Sequence, residues 1–371
     1  MNKRCTLALI ISLLLGLFPS CPVEAARGLP GSPEFGYGAW IHPYGADFNQ
    51  GLALQADLNL DWIGVIFDWA AHAPVKNTDL NFSHFNPVFL TASRLGTPVV
   101  ISITNPPDWA LTGQGPDPST ALFLIDKLIT AFPGQITAIE LFPGANLKSG
   151  WKADPNPADY MNLYAHIAKY LQKTNSQIEL IAAGLSPLPA NPESTDQDDL
   201  LFLCGLYKAG AAREMRVISI RFPTLAGDPL TAPSEDNKFA FRRYEKIRQV
   251  MLDHNHQNGL LWITLINPPD GKINPGDAKY QDLQKQAEWL QQAIIQARGQ
   301  LYIGAVMINN LNTPAKGLLD FTSGSLILEQ NQLHPFYNVL KALIEPSKPE
   351  SAVTPPGRPK GTTLLKCKNK T

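Results

Sequence analysis

The chain has 371 residues, a formal net charge of -1 and 17% charged residues, a balance that offers nothing to nucleic acid or to an anionic membrane surface. Its length suits one large α/β barrel as well as two small domains. Cys5 and Cys21 fall in the leading segment, while Cys204 in a helical pattern and Cys367 in a polar tail make no disulfide framework, so the fold is expected to rest on its core.

Residues 1–25 have the parts of a secretory signal: Lys3 and Arg4, an apolar run from Leu7 to Phe18, and the small-residue site Val23-Glu24-Ala25. Cleavage after Ala25 is expected, and with it export from the cytoplasm. The apolar run is short for a membrane span, which needs about 20 residues, and no later stretch predicts a transmembrane segment. Lipidation at Cys21 is a minor alternative, poorly served by Leu17-Phe18-Pro19-Ser20. Residues 26–34 read as a linker.

From 35 to 345, short branched apolar runs alternate with longer segments of helical period, the pattern of repeated βα units around a parallel sheet. Eight strands are predicted, at 36–41, 62–67, 98–103, 136–142, 178–183, 216–222, 260–266 and 301–308, and eight imply a closed (β/α)8 TIM barrel in a single domain. The clearest helix spans 158–173, with Tyr160, Leu163, Tyr164, Ile167 and Leu171 at helical spacing and Asp159, Asn162 and Lys169 on the other face. Helices at 240–253, 281–298 and 335–344 repeat it. Residues 346–371 turn to Pro, Ser, Lys and Gly without apolar period and read as a disordered tail, or a linker to a further domain.

In such barrels the working residues sit on loops after the strands. Here those loops carry Trp40, His42 and Tyr44, then Asp68 and Trp69, Asn105 and Trp109, and Asn146 and Trp151. Rings beside hydrogen-bonding groups suit a sugar, which stacks through its apolar face and bonds through its hydroxyls. A tryptophan at a strand end also commonly caps the core. The aspartates Asp47, Asp68, Asp108 and Asp270 show no spacing that singles out a catalytic pair. His42, His254 and His256 form no metal-ligand spacing, and no Gly-rich phosphate loop or Gly-x-Ser-x-Gly elbow occurs, so no metal or other cofactor is expected.

The order of motifs resembles the secreted glycoside hydrolases of the large retaining (β/α)8 clan, particularly bacterial members related to cellulases and xylosidases. The resemblance runs from Phe35-Gly36-Tyr37-Gly38 through Leu60-Asp61-Trp62-Ile63-Gly64, Phe67-Asp68-Trp69 and Ser102-Ile103-Thr104-Asn105-Pro106-Pro107-Asp108-Trp109. Ala240-Phe241-Arg242-Arg243, Leu261-Trp262-Ile263-Thr264 and Gln286-Ala287-Glu288-Trp289-Leu290 continue it. It implies an acid/base glutamate after the fourth strand, in a motif read Glu-Ile-Trp-Asn-Glu-Pro-Asn. This chain has Glu140-Leu141-Phe142-Pro143-Gly144-Ala145-Asn146, so Gly144 stands at that position. The nucleophile that the resemblance implies, in Trp-Ile-Thr-Glu-Phe-Gly, is replaced by Leu265 in Trp262-Ile263-Thr264-Leu265. Arg221 stands near a position where many relatives carry histidine.

Retaining hydrolysis needs one carboxyl to protonate the leaving oxygen and a carboxylate about 5 Å away to attack the anomeric carbon. Glycine and leucine supply neither. Glu140 is no substitute, since four residues of strand separate it from Gly144 by about 13 Å. Three readings follow. The first is an exported barrel that no longer hydrolyses but retains binding of a saccharide or polysaccharide, with Trp40, Trp69, Trp109 and Trp151 as stacking faces and His42, Asn146, Arg221 and Asn267 as polar contacts. The second is an active O-glycosyl hydrolase with relocated carboxylates, and the third a scaffold or interaction protein without sugar binding.

Overall fold

The structure, a computed structural model, describes residues 25–45, 47–76, 79–174, 176–188, 194–222, 228–234, 237–266, 278–313, 325–327 and 332–344. Eight parallel strands close on themselves: β1 (Gly36–Ile41), β2 (Trp62–Asp68), β3 (Val99–Thr104), β4 (Ile136–Leu141), β5 (Glu179–Leu185), β6 (Val217–Phe222), β7 (Leu260–Ile266) and β8 (Ile303–Ile308). Each pairs with its neighbours in sequence, and β8 pairs back with β1 through Gly36↔Ala305 to Ala39↔Ile308. The expected strands match these to within a few terminal residues, and the single (β/α)8 barrel is as expected. Eight helices return outside: α1 (Phe48–Leu58), α2 (Asn86–Leu95), α3 (Pro118–Ala131), α4 (Pro157–Lys173), α5 (Asp199–Lys208), α6 (Tyr244–Asp253), α7 (Ala278–Arg298) and α8 (Phe336–Ile344).

Local sequence explains the helix starts. In α4, Asn156 accepts from the Ala158 amide and Pro157 takes the first turn, where its missing N–H costs nothing. Tyr160, Leu163, Tyr164, Ile167 and Leu171 are buried, the face their spacing predicts. Asp117 and Asp198 cap α3 and α5 in the same way.

Strand alternation divides the core into two layers. One set of positions packs against the helices; the other fills the barrel, where Trp40, Trp62, Val100, Ala138, Ile181, Val217, Trp262, Ala305 and Met307 form one cluster. Trp62 and Trp262 meet edge to face at 4.9 Å between ring centroids. Room for the wide rings comes from β2, where a Cβ on Gly64 would lie 2.4 Å from the Trp40 ring and 2.7 Å from Met307 Cε.

The floor of the barrel is sealed by the segment read from sequence as a linker. Leu29 joins the interior cluster, and the indole N–H groups of Trp62 and Trp262 donate to the carbonyls of Arg27 (2.7 Å) and Gly28 (2.8 Å). Cys204 corrects one expectation, because it is disulfide-bonded; its partner lies outside the described residues. The predicted signal segment and tail also lie outside them. Among the described residues no helix is long and apolar enough to cross a membrane.

The tight contact at Gly64 makes a direct test. Gly64→Ala is expected to destabilise the protein by about 1–3 kcal/mol through overpacking against Trp40, read as a lower midpoint in urea with an unchanged slope.

Candidate functional site

The mouth of the barrel is built on a buried charge. On β4, Ala138 and Glu140 face inward by alternation, and Glu140 is 2% exposed. Two hydroxyls from neighbouring strands hold its carboxylate: Ser102 Oγ donates to Oε2 at 2.6 Å and Thr264 Oγ1 donates to Oε1 at 2.7 Å. The β3–β4 register sets Ser102 beside Glu140, so the first contact follows from strand pairing. The opposite charge comes from Arg221 on β6, 6% exposed. Burial pushes its guanidinium down to about 10 while the charge of Glu140 pulls it up, so it remains cationic at neutral pH.

Arg221 also reaches the position where the resemblance implies a proton donor. A Cβ built on Gly144 would lie 3.5 Å from Arg221 Nη1. The turn around Gly144 is pinned: its amide donates to Gly184 O at 2.8 Å, the Ala145 amide to Ala183 O at 3.0 Å, and the Leu147 amide to Gly144 O at 2.8 Å. Gly144 has φ +81°, a conformation that opposes any side chain there. Across the mouth, Leu265 pairs with Arg221 in the β6–β7 ladder.

The four tryptophans singled out from sequence lie in different settings. Trp40 points into the barrel, 2% exposed, and donates its indole N–H to Thr264 O at 2.7 Å. Trp69, 1% exposed, packs edge-on to Trp109 at 5.7 Å and stacks on Phe142 at 6.4 Å. Trp151, equally buried, donates to Gln114 O at 2.9 Å, under a two-stranded ribbon of Leu111–Thr112 and Gly115–Pro116. Trp109 alone of the four is half-buried, its N–H held by Ala73 O at 2.8 Å. Rings so enclosed serve as caps of the core, and of these four only Trp109 keeps part of its ring exposed.

The polar candidates are mostly engaged. Asn146 is fully buried and stitches two loops: its amide donates to Ser186 O and Gln197 O, both at 2.8 Å, and its carbonyl accepts from the Ser186 amide at 3.0 Å. His42 donates from Nε2 to Asn310 Oδ1 at 2.7 Å, while its backbone exchanges two bonds with Asn312. Burial pushes its imidazole down to about 4. Asn267 and Asp270 lie outside the described residues. Among the other aspartates, Asp47 accepts from Thr313, Asp68 caps the Ala71 amide and accepts from Asn105 Nδ2 at 2.9 Å, and Asp108 is exposed. Among the described residues, no group of three or more His, Cys, Asp or Glu side chains is placed to hold a metal ion.

Two histidines that no sequence pattern singled out, His72 and His84, join Tyr44 in one cluster. Tyr44 Oη and His72 Nε2 share a hydrogen bond at 2.8 Å, the Tyr44 ring lies 4.9 Å from that of exposed His84, and His72 sits close enough to Asp68 to feel its charge. Burial pushes His72 down to about 4 and Tyr44 up to about 12. With Trp109 and Asn105, these groups give the mouth an aromatic and hydrogen-bonding side at β1 to β3. The signal was faint, since 28 residues separate Tyr44 from His72.

No family model matches this chain, and no curated protein sequence matches it. Its shape, however, is similar to solved glycoside hydrolases. A family 39 glycoside hydrolase from the gut symbiont Bacteroides cellulosilyticus WH2 superposes with TM-score 0.59 at 17% identity over 87% of this chain, which spans 64% of that enzyme. A GH128 endo-β-1,3-glucanase from Sorangium cellulosum gives 0.52 at 13% identity, covering 85% of this chain and all of the other. Xylanase 10B from Thermotoga maritima gives 0.55 at 12% identity, covering 86% and 98%. Likeness at this identity establishes the barrel and leaves activity to the site itself.

Two tests follow from the buried groups. Arg221→Met leaves the charge of Glu140 without its counter-ion and is expected to cost about 3–5 kcal/mol of stability, with Ser102→Ala costing about 1–3 kcal/mol, both measured by urea unfolding. The second concerns pH. Folding holds His42 and His72 near 4 against an ordinary value of 6.5, so between those values the unfolded chain binds more protons than the folded one. Stability is therefore expected to fall as pH drops from 6.5 to 4, and His42→Gln is expected to flatten that slope in thermal melts.

Proposed function

We propose that this protein is an exported, glycoside-hydrolase-like barrel that does not hydrolyse by the retaining route and instead recognises a saccharide at its mouth. The observation that carries the reading is the guanidinium of Arg221 beside Gly144. A retaining enzyme needs a carboxylic acid there with pKa high enough to hold a proton, and a cation at that point favours the ionised form of any carboxyl placed beside it. Below it, the one inward carboxylate of β4, Glu140, is committed to Ser102 and Thr264 and shielded from the mouth. Leucine at position 265 adds no nucleophile.

Support for recognition comes from the rim. The half-buried ring of Trp109, the Tyr44–His72–His84 group and Asn105 together present stacking surface beside donors and acceptors, the combination that sugar rings require. The similar structures include a glucanase and a xylanase, proteins that act on polysaccharides. The signal-like residues 1–25 support export, where such polymers occur.

Purified mature protein is expected to show no turnover of aryl β-glycosides or plain polysaccharides. The variant carrying Gly144→Glu with Leu265→Glu is expected to stay inactive, because a carboxyl at 144 would pair with Arg221. Clear turnover that Asp108→Asn abolishes would overturn the reading in favour of relocated carboxylates. On a glycan array, Trp109→Ala is expected to weaken binding roughly tenfold, the scale of losing one stacked ring, about 1–1.5 kcal/mol. Absence of binding to any glycan would leave a scaffold role.

A further inference from the structure

The alternation that turns Trp62, Gly64 and Ile66 of β2 into the barrel turns Asp68 inward as well. The register of β2 with β3 and of β3 with β4 sets Ile66, Ser102 and Glu140 at one level, and Asp68 beside Thr104 two residues further on. Asp68 is therefore an inward carboxylate about 7 Å further along the strands than Glu140, towards the mouth. It is 6% exposed.

Its two oxygens differ. Oδ1 accepts from the Ala71 amide at 3.0 Å and from Asn105 Nδ2 at 2.9 Å. Oδ2 accepts from no donor among the described residues and keeps contact with solvent. A cap for Ala71 needs one oxygen only, and asparagine or serine would supply it. The second oxygen, which can only accept and is fixed by the two bonds to the first, is what aspartate adds. The turn that Asp68 caps also fixes the rings near it: His72 on that turn shares its bond with Tyr44, and Ala73 O holds the indole N–H of Trp109 at 2.8 Å.

We propose that Asp68 Oδ2 is the acceptor for the saccharide's hydroxyls, and that it makes the mouth select an uncharged sugar over an acidic one. The proposal rests on the reading of the mouth as a saccharide site and gives that site an anchor and a substrate class. A hydroxyl bonds more strongly to a carboxylate than to a neutral acceptor, whereas a uronic acid brings a like charge to it. The surrounding segments add to this bias. Residues 42–47, 69–85 and 105–117, which follow β1, β2 and β3, hold Asp47, Asp79, Asp108 and Asp117 against Lys76 as their one lysine or arginine. The charge of Arg221 is set against that of Glu140.

The test is calorimetric titration of the full chain with cellohexaose, laminarihexaose, xylohexaose and hexagalacturonate. The wild type is expected to bind a neutral hexaose at least about tenfold more tightly than hexagalacturonate, the scale of one charge-assisted hydrogen bond. Asp68→Asn keeps an oxygen for Ala71 and Asn105 and puts an amide nitrogen where Oδ2 stood. It is expected to melt as the wild type does, to bind the neutral hexaose roughly tenfold more weakly, and to discriminate less against hexagalacturonate. Asp68→Ser, which keeps a capping oxygen and has nothing at the Oδ2 position, is expected to lose more. Undiminished neutral binding by folded Asp68→Asn, or a wild-type preference for hexagalacturonate, would overturn the proposal and leave the saccharide reading standing. A wild type that binds none of these chains and no glycan on an array would overturn both.

Discussion

The mouth of this barrel depends on one electrostatic constraint, the burial of the Glu140 carboxylate among parallel strands. An ionised carboxylate taken out of water is tolerated only when donors and a counter-charge surround it. Ser102, Thr264 and Arg221 meet that need from β3, β7 and β6, so four of the eight strands meet at one charge. Their side chains therefore cannot be devoted to a ligand without leaving the carboxylate exposed to its own desolvation cost. The polar layer below the mouth is in this sense part of the core.

The loop after β4 lies against the same arginine. A Cβ on residue 144 would touch Arg221 Nη1 at van der Waals distance, and the chain there makes a tight glycine turn bonded to β5. The loop then runs to Trp151, whose ring closes beneath the ribbon from the β3 loop. Trp40, Trp62 and Trp262 thus fill the barrel interior, while Trp69 and Trp151 close the core outside it and beneath the loops. Among the described residues, a rim of partly exposed aromatic and polar groups lies on the side of β1 to β3. This division gives the centre of the barrel a structural task, the burial of Glu140.

Much of the architecture was legible because it depends on periodicity. Branched runs at regular intervals located all eight strands, and the spacing of Tyr160, Leu163, Tyr164, Ile167 and Leu171 identified the buried face of α4. Ends were less sharp, as at β8, where Leu301 and Tyr302 lie outside the strand because a turn held by Ile303 precedes it. The segment at 26–34 looked like a linker since its role, donating carbonyls to two indoles far along the chain, leaves no local pattern. Cys204 gave a similar lesson, because helical context says nothing about a covalent partner.

The sequence by itself determined the barrel, the direction of each strand's side chains and the presence of glycine and leucine at positions 144 and 265, since all three follow from local order and alternation. Only the tertiary structure decided what those residues mean together. Glu140 and Thr264 are 124 positions apart, and Trp40 donates to a carbonyl 224 positions away; such contacts are set by closure of the sheet. Closure is also what turned most of the candidate tryptophans into core and carried Arg221 to Gly144, because a ring of strands brings to one axis side chains whose separation along the chain carries no hint of it.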